Sequence, residues 1–240
     1  MVSQRRRREL KIRLWFVLFV ACLVLALLPV QSGVLRRMLV VGIFLTWASG
    51  LFLFWRSIVA RVVFLLPLVA AIGLALIPYR LSNGAQMRAA YTKALRSYEG
   101  VKFLSGGESR WGMDSSGLIR TAMMDACFAE GWQIKDLGLL RAAAALWWYD
   151  ASIEEIGKGY NGRARVLISN TVLNTADYAK LQPGDIVVTT DNQQVLAYLG
   201  EKTWISTDLK TKKSVVTEKA PSDETAFSAT VNVLRWYRLQ

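Results

Sequence analysis

Histidine is absent from this chain of 240 residues. Serine and cysteine hydrolases ordinarily use a histidine to take the proton from the nucleophile, so this form of catalysis is excluded. Cysteine is scarce as well, because only Cys22 and Cys127 are present and they lie far apart in the sequence. Two distant cysteines without histidine do not make a zinc site. We therefore expect neither a bound metal nor a cofactor.

Acidic residues are nearly missing from the first third of the chain. Residues 1–80 contain 11 Lys or Arg against one Asp or Glu, whereas residues 81–240 contain 19 against 17. The formal charge of +12 thus belongs mostly to the first part. The remainder lacks the basic excess that is typical of nucleic-acid-binding domains, so we expect no nucleic-acid partner.

Three runs in the first 80 residues carry no charge and are strongly apolar. They cover residues 14–30, 38–55 and 62–79. Each is near the lower end of the roughly 17–25 residues that span a bilayer as a helix. We predict a membrane anchor of three transmembrane helices in residues 1–80, with the lipid bilayer as its partner. The arginines at residues 5–8 favour a cytoplasmic N-terminus, and three crossings would then place residues 81–240 on the outer side.

Residues 81–240 read as one soluble domain in which helices precede strands. Apolar residues at helical spacing predict helices over residues 87–98, 115–130 and 139–149. Short apolar segments between turns predict strands near residues 186–188, 195–199, 204–206, 214–217 and 231–237. This order predicts an α+β domain in which helices pack on an antiparallel sheet.

Three motifs follow one another in this domain and carry a family resemblance. They are Gly106-Gly107 with Asp114-Ser115-Ser116-Gly117, then Leu181-Gln182-Pro183-Gly184-Asp185-Ile186-Val187, then Gln194-Val195-Leu196-Ala197-Tyr198-Leu199-Gly200. In this order they resemble the NlpC-like murein peptidases, a papain-fold family of cysteine hydrolases. The resemblance covers roughly residues 88–208 and implies a papain-like fold in residues 81–240.

The resemblance also implies where an active site would lie. Ser115 stands at the position of the nucleophilic cysteine, and Gln194 stands at the position of the histidine base. The position of the base-orienting polar residue falls on Ser206 or, two residues on, Asp208. The implied ligand-binding groove contains these residues: Phe103, Gly106, Gly107, Asp114, Ser115, Ser116 and Gln194. Glutamine does not act as a base at physiological pH, so the catalytic positions are degenerate.

These observations favour a membrane-anchored pseudoenzyme that faces the cell wall. Its expected partner is a murein peptide or a cell-wall protein, and its expected location is the inner (cytoplasmic) membrane of a bacterium. Two alternatives stay open at this point. One is an active cell-wall hydrolase with Ser115 as nucleophile and Asp208 or a lysine as base. The other is a structural membrane subunit whose soluble domain only docks a partner.

Overall fold

The computed structural model describes residues 2–28, 30, 32–76, 83–207 and 214–240, with the side chains of residues 2–5 and of Ala75 left out. The chain forms two compact units, Met1–Ile77 and Pro78–Gln240. The first unit contains three helices, α1 (Val2–Leu27), α2 (Gly33–Phe54) and α3 (Ile58–Ala75). Ser32 and Ser57 cap the second and third, since each side chain accepts a hydrogen bond from a backbone amide at the helix start.

Two helices of the described residues, not three, are long and apolar enough to cross a membrane. They are Arg6–Leu27 and Gly33–Phe54, in place of the predicted spans over 14–30 and 38–55. The third predicted span, over 62–79, corresponds to α3, whose apolar part Ile58–Leu74 is shorter. The charge-free run of the sequence covers residues 62–79, whereas helix α3 begins earlier, at Ile58, and includes Arg61. Residues 77–79 of that span lie outside the described residues.

The second unit contains helices and a sheet, as the sequence predicts. The helices are α4 (Gly84–Arg96), α5 (Ser115–Ile134), α6 (Leu137–Trp148), α7 (Ile153–Gly157) and α8 (Thr225–Ser228), and 3-10 turns lie at Leu173–Thr175, Tyr178–Lys180 and Tyr237–Leu239. The strands are β1 (Glu108–Ser109), β2 (Gly112–Met113), β3 (Ala164–Val172), β4 (Ile186–Thr189), β5 (Val195–Gly200), β6 (Thr203–Thr207), β7 (Val215–Lys219) and β8 (Thr230–Trp236). The α+β prediction with an antiparallel sheet is confirmed.

Six of these strands form one sheet in the order β3-β8-β4-β5-β6-β7, and every neighbouring pair is antiparallel. The two shortest strands, β1 and β2, form a separate hairpin. Side chains alternate between the faces of a strand, so the sheet has two apolar faces. In β5, for example, Val195 and Ala197 belong to one buried cluster, whereas Leu196 and Tyr198 belong to the other.

The two clusters define the sides of the sheet that matter for the site. The helix-side cluster joins the sheet to α4, α5 and α6, and it includes Tyr91, Ile119 and Leu139. The outer cluster lies on the opposite face and is centred on aromatic residues, with the rings of Tyr198 and Trp204 4.9 Å apart. A residue on a central strand therefore faces either the helices or the outer cluster, according to its register.

The Pro183-Gly184-Asp185 motif forms the turn that leads into β4. Gly184 has a φ of +93°, and a Cβ there would lie 2.6 Å from the side chain of Leu239. The carboxylate of Asp185 is buried and accepts two hydrogen bonds from Arg235 on β8, at 2.6 and 2.7 Å. Asp185 is thus an ion-pair residue that links two strands of the sheet.

Candidate functional site

The first turn of α5 is organised by Asp114, which is the N-cap residue. Its carboxylate accepts a hydrogen bond from the amide of Gly117 at 2.5 Å and another from the amide of Gly106 at 2.8 Å. The hydroxyl of Ser116 donates to the same carboxylate at 3.2 Å. Burial raises the pKa of Asp114 above its ordinary range, although these hydrogen bonds act in the opposite direction. Asp114 therefore joins the Gly106-Gly107 turn to the start of the helix.

Two glycines of the motif permit a close approach of backbone to backbone. A Cβ on Gly107 would lie 2.6 Å from the carbonyl oxygen of Gly112, and a Cβ on Gly117 would lie 2.4 Å from the carbonyl oxygen of Gly107. Neither position has room for a side chain. The Gly-Gly-to-Asp spacing that the sequence displays is thus a packing requirement of this turn.

Ser115 is the first residue of α5 and is buried. Its hydroxyl forms a hydrogen bond with the hydroxyl of Thr207, the last residue of β6, which is also buried. Neither hydroxyl is a base at neutral pH, since the oxygen of each is a weak proton acceptor. Within the described residues, the side chain that contacts the Ser115 hydroxyl therefore cannot activate it.

Thr207, rather than Ser206, is the residue of β6 that meets Ser115. Ile205 belongs to the helix-side cluster and Trp204 to the outer cluster. Because side chains alternate along a strand, Thr207 lies on the side of Ile205, and Ser206 lies on the side of Trp204. Ser206, the degenerate position that the resemblance implies for the base-orienting residue, is therefore on the face of β6 opposite to the one that carries Thr207. Asp208, the other residue proposed for that position, lies outside the described residues.

The backbone of Gln194 is held in place by the pairing of β4 with β5. It immediately precedes β5, where its amide donates to the hydroxyl of Thr189 at 3.0 Å and its carbonyl accepts from the Thr189 amide at 3.1 Å. The next residue, Val195, is in the helix-side cluster. If the alternation of the strand continues to Gln194, its side chain is on the opposite face of the sheet from Val195.

The helix-side position of β5 next to Thr207 is held by a valine. Ala197 pairs with Ile205 in the antiparallel register, and two steps along the strands the same register places Val195 opposite Thr207. Val195 is buried and has no proton-accepting atom on its side chain. The sequence motif implies Gln194 as the residue that faces Ser115, whereas strand pairing implies Val195. Neither side chain is a base.

The remaining predicted groove residues lie along the chain that approaches α5. Gly106, Gly107, Asp114, Ser115 and Ser116 come together at the start of the helix. Phe103 is half-buried and forms a bridge with Met113, the residue before Asp114. Trp111, between β1 and β2, has an exposed fraction of 79%. Six of the seven residues, all but Gln194, thus lie in the segment that leads into the start of α5, with an exposed indole in the same segment.

A buried arginine supports this turn from the helix, and sequence reasoning missed it. Arg120 on α5 is 2% exposed, and it donates to the carbonyl of Leu146 on α6 at 2.8 Å. Its guanidinium forms an ion pair with Glu108 of β1 and another with Asp150 at 3.5 Å. The one available signal was a charged residue beside the apolar stripe of a predicted helix. Arg120 anchors the segment that follows the Gly106-Gly107 turn.

Other reactive groups do not supply a nucleophile or a metal site here. Cys127 is fully buried in α5, and burial raises the pKa of its thiol to about 11. Among the described residues, the structure contains no group of three or more His, Cys, Asp or Glu arranged to hold a metal ion.

Comparison with known proteins gives structural likenesses only. The sequence matches no protein-family model, and no curated protein matches it. The structure is similar to NlpC2 from Trichomonas vaginalis, with 14% identity, a TM-score of 0.41, and coverage of 67% of this chain and 50% of that chain. It is similar to an NlpC/P60 family protein from Bacillus cereus, with 15% identity, a TM-score of 0.38, and coverage of 67% and 41%.

A third similar structure is the peptidoglycan hydrolase RipB from Mycobacterium tuberculosis. Its identity to this chain is 18% and its TM-score is 0.38, with coverage of 66% of this chain and 69% of that chain. The chain therefore spans half or less of the NlpC2 and Bacillus cereus proteins.

Proposed function

We propose that this protein is a membrane-anchored, NlpC-like pseudoenzyme that binds a murein peptide in the groove at the start of α5. The observation that carries the proposal is the hydrogen bond between the hydroxyls of Ser115 and Thr207, with Val195 opposite Thr207 and no histidine in the chain. A fold shared with hydrolases does not assign their activity, because activity depends on the groups at the site.

The loss of turnover expected without a catalytic base supports a binding role. In serine hydrolases, removal of single members of the catalytic triad lowers turnover by roughly 10⁴- to 10⁶-fold. Here the position of the nucleophile holds a serine that, within the described part of the chain, contacts the hydroxyl of Thr207, and the two positions on the β5 side hold a glutamine and a valine. The turn that shapes the groove is retained through Asp114 and its glycines. Recognition without cleavage is what such a site offers.

Trp111 is the side chain that we expect to contact the ligand most directly. An exposed indole lies in the segment between the Gly-Gly turn and the helix, where it can stack on the apolar or sugar part of a muropeptide. Trp132, on the same helix as Ser115 but near its other end, is an exposed tryptophan with Lys135 over its ring at 4.3 Å. Trp132 therefore provides a control: it is an exposed indole like Trp111 but lies away from the start of the helix.

The test is to measure binding and cleavage of a purified disaccharide tetrapeptide by the full chain in detergent micelles. We expect saturable binding without products, and Trp111→Ala should weaken binding about tenfold, the loss of one well-placed aromatic contact. Trp132→Ala serves as the control and should leave binding unchanged. Cleavage that Ser115→Ala abolishes would establish a serine hydrolase instead, and absence of binding would favour a docking domain for a protein partner.

The anchor part of the proposal rests on the exposed apolar surface of the first unit. Large apolar side chains such as Phe52, Leu27 and Val59 are exposed along its helices, as lipid-facing residues are. We propose that the arginines of residues 5–8 stay on the cytoplasmic side of a bacterial inner membrane and that the second unit lies outside it. This arrangement requires α3, with 18 residues or about 27 Å of helix, to cross as well.

Reporter fusions after Gln240 test this topology. We expect a phosphatase that folds only outside the cytoplasm to be active there, and a fluorescent protein that folds only inside to be dark. If only the two longer helices cross the membrane, the two reporters will give the reverse pattern. That result would place the second unit in the cytoplasm and remove its access to the cell wall.

A further inference from the structure

A cavity lined by three arginines lies in the second unit, apart from the groove at the start of α5. Its volume is about 460 Å³, within the range of roughly 300–1,000 Å³ that is usual for small-molecule sites. Arg141 of α6, Arg163 before β3 and Arg238 near the C-terminus line it. Met123 contributes from α5, eight positions after Ser115, or about 12 Å along the helix axis. The cavity therefore does not share its lining with Ser115.

The guanidinium groups of the cavity are positioned by aromatic rings and backbone. The Cζ atom of Arg163 lies 5.3 Å from the ring centre of Tyr149 and 5.1 Å from that of Tyr160. These contacts hold the side chain of Arg163 in place by cation–π attraction. Arg238 donates to the carbonyl of Gly138, the second residue of α6, at 3.3 Å. Arg163 and Arg238 thus have defined positions before any ligand binds.

The charge of the cavity is not balanced by its own lining. None of the described residues that line it is acidic. Asp136, the N-cap residue of α6, is not among the lining residues, and its carboxylate accepts a hydrogen bond from the amide of Gly138 at 2.7 Å. Like charges that share one cleft repel each other, and the exposure of Arg141 and Arg238 to solvent weakens but does not remove this repulsion. An anion with several acceptor oxygens would relieve this repulsion.

The floor of the cavity is apolar and buried. Met123, Leu146 and Trp236 contribute to it, and each belongs to the helix-side cluster. Arginine forks match the oxygens of phosphate, and the apolar floor can accept a compact carbon skeleton beside that group. We propose that this cavity binds a molecule that carries a phosphate group, held by Arg141, Arg163 and Arg238.

Binding of radiolabelled inorganic phosphate to the full chain in neutral detergent micelles tests this proposal. We expect saturable binding and a rise in the melting temperature with phosphate concentration, because a ligand of the folded state stabilises it. The double variant Arg141→Gln/Arg238→Gln should bind at least about tenfold more weakly, since charge-assisted hydrogen bonds to phosphate are lost. Without phosphate its melting temperature should match that of the unaltered protein, as both side chains are exposed.

The control is Arg96→Gln/Arg165→Gln, which removes the same charge from two exposed arginines outside the cavity. It should bind phosphate as the unaltered protein does. Equal weakening in both double variants, or no saturable binding at all, would overturn the proposal. Nanodiscs identify the source of the phosphate group. If phosphatidylglycerol discs abolish phosphate binding while phosphatidylcholine discs preserve it, a lipid headgroup occupies the cavity, and equal binding in both assigns it to a free phosphate compound.

Discussion

Asp185→Asn is expected to destabilise the second unit by about 3–5 kcal/mol, because it leaves the charge of Arg235 without the carboxylate that pairs with it. The carboxylate is buried, holds the guanidinium of Arg235 at 2.6 and 2.7 Å, and also accepts from the amide of Gln182 at 2.8 Å. For a unit of this size, the loss should lower the melting temperature by roughly 6–20 °C. Thermal unfolding of the full chain in micelles, followed by near-ultraviolet circular dichroism, measures it.

An exposed ion pair with a similar N–O distance serves as the control, because it has the same contact without the burial. Lys158 and Glu154 are 2.5 Å apart on the surface of α7 and its end. Glu154→Gln should leave the melting temperature nearly unchanged, because an exposed ion pair contributes little to stability. Arg235→Met added to Asp185→Asn should recover much of the lost stability, because the uncompensated charge is then gone. If both single changes lower the melting temperature equally, burial is not the cause and the account of the Pro-Gly-Asp motif is wrong.

The periodicity of the sequence was sufficient to predict the α+β architecture and the position of α5. Burial of apolar side chains determines both the apolar stripe of that helix and the short apolar strands, so both are visible in the sequence. Strand β3 was not predicted, because much of Ala164–Val172 is exposed at the sheet edge and lacks a continuous apolar pattern. Local pattern is weakest where an element is only half buried.

The details of the site required the three-dimensional register. The sequence predicts a helix from residue 115, and the structure shows that Asp114 caps it, because its carboxylate accepts hydrogen bonds from both Gly106 and Gly117. A motif comparison placed Gln194 and Ser206 beside Ser115. The faces of β5 and β6 instead present Val195 and Thr207, one residue away in each strand. A shift of one residue moves a side chain to the opposite face of a sheet, and sequence alone does not resolve it.

Val195→His, combined with Ser115→Cys, is expected to create a reactive thiolate, whereas Gln194→His with Ser115→Cys is not. Both are made with Cys22→Ser and Cys127→Ala, so that the introduced cysteine is the single thiol. An imidazole on the helix side of β5 would lower the pKa of that thiol from its usual value of about 8.5 to below neutral. The thiolate fraction at pH 7 then rises from a few per cent to a majority, about a 20-fold increase.

The rate of iodoacetamide alkylation as a function of pH measures this difference. With Val195→His the rate at pH 7 should rise about 20-fold over Ser115→Cys alone and should fall as the imidazole–thiolate pair is protonated at lower pH. Gln194→His is the matched control, one residue away on the opposite face, and should leave the profile at that of Ser115→Cys alone.

Thr207→His repeats the test from β6, at the residue that contacts Ser115, in case the buried valine position does not accept a histidine. A rise with Gln194→His alone would mean that the family positions were aligned correctly and that the face assignment drawn from the sheet is wrong. A rise with Val195→His or Thr207→His would locate the missing base on the helix side of the sheet, where this chain carries a valine and a threonine.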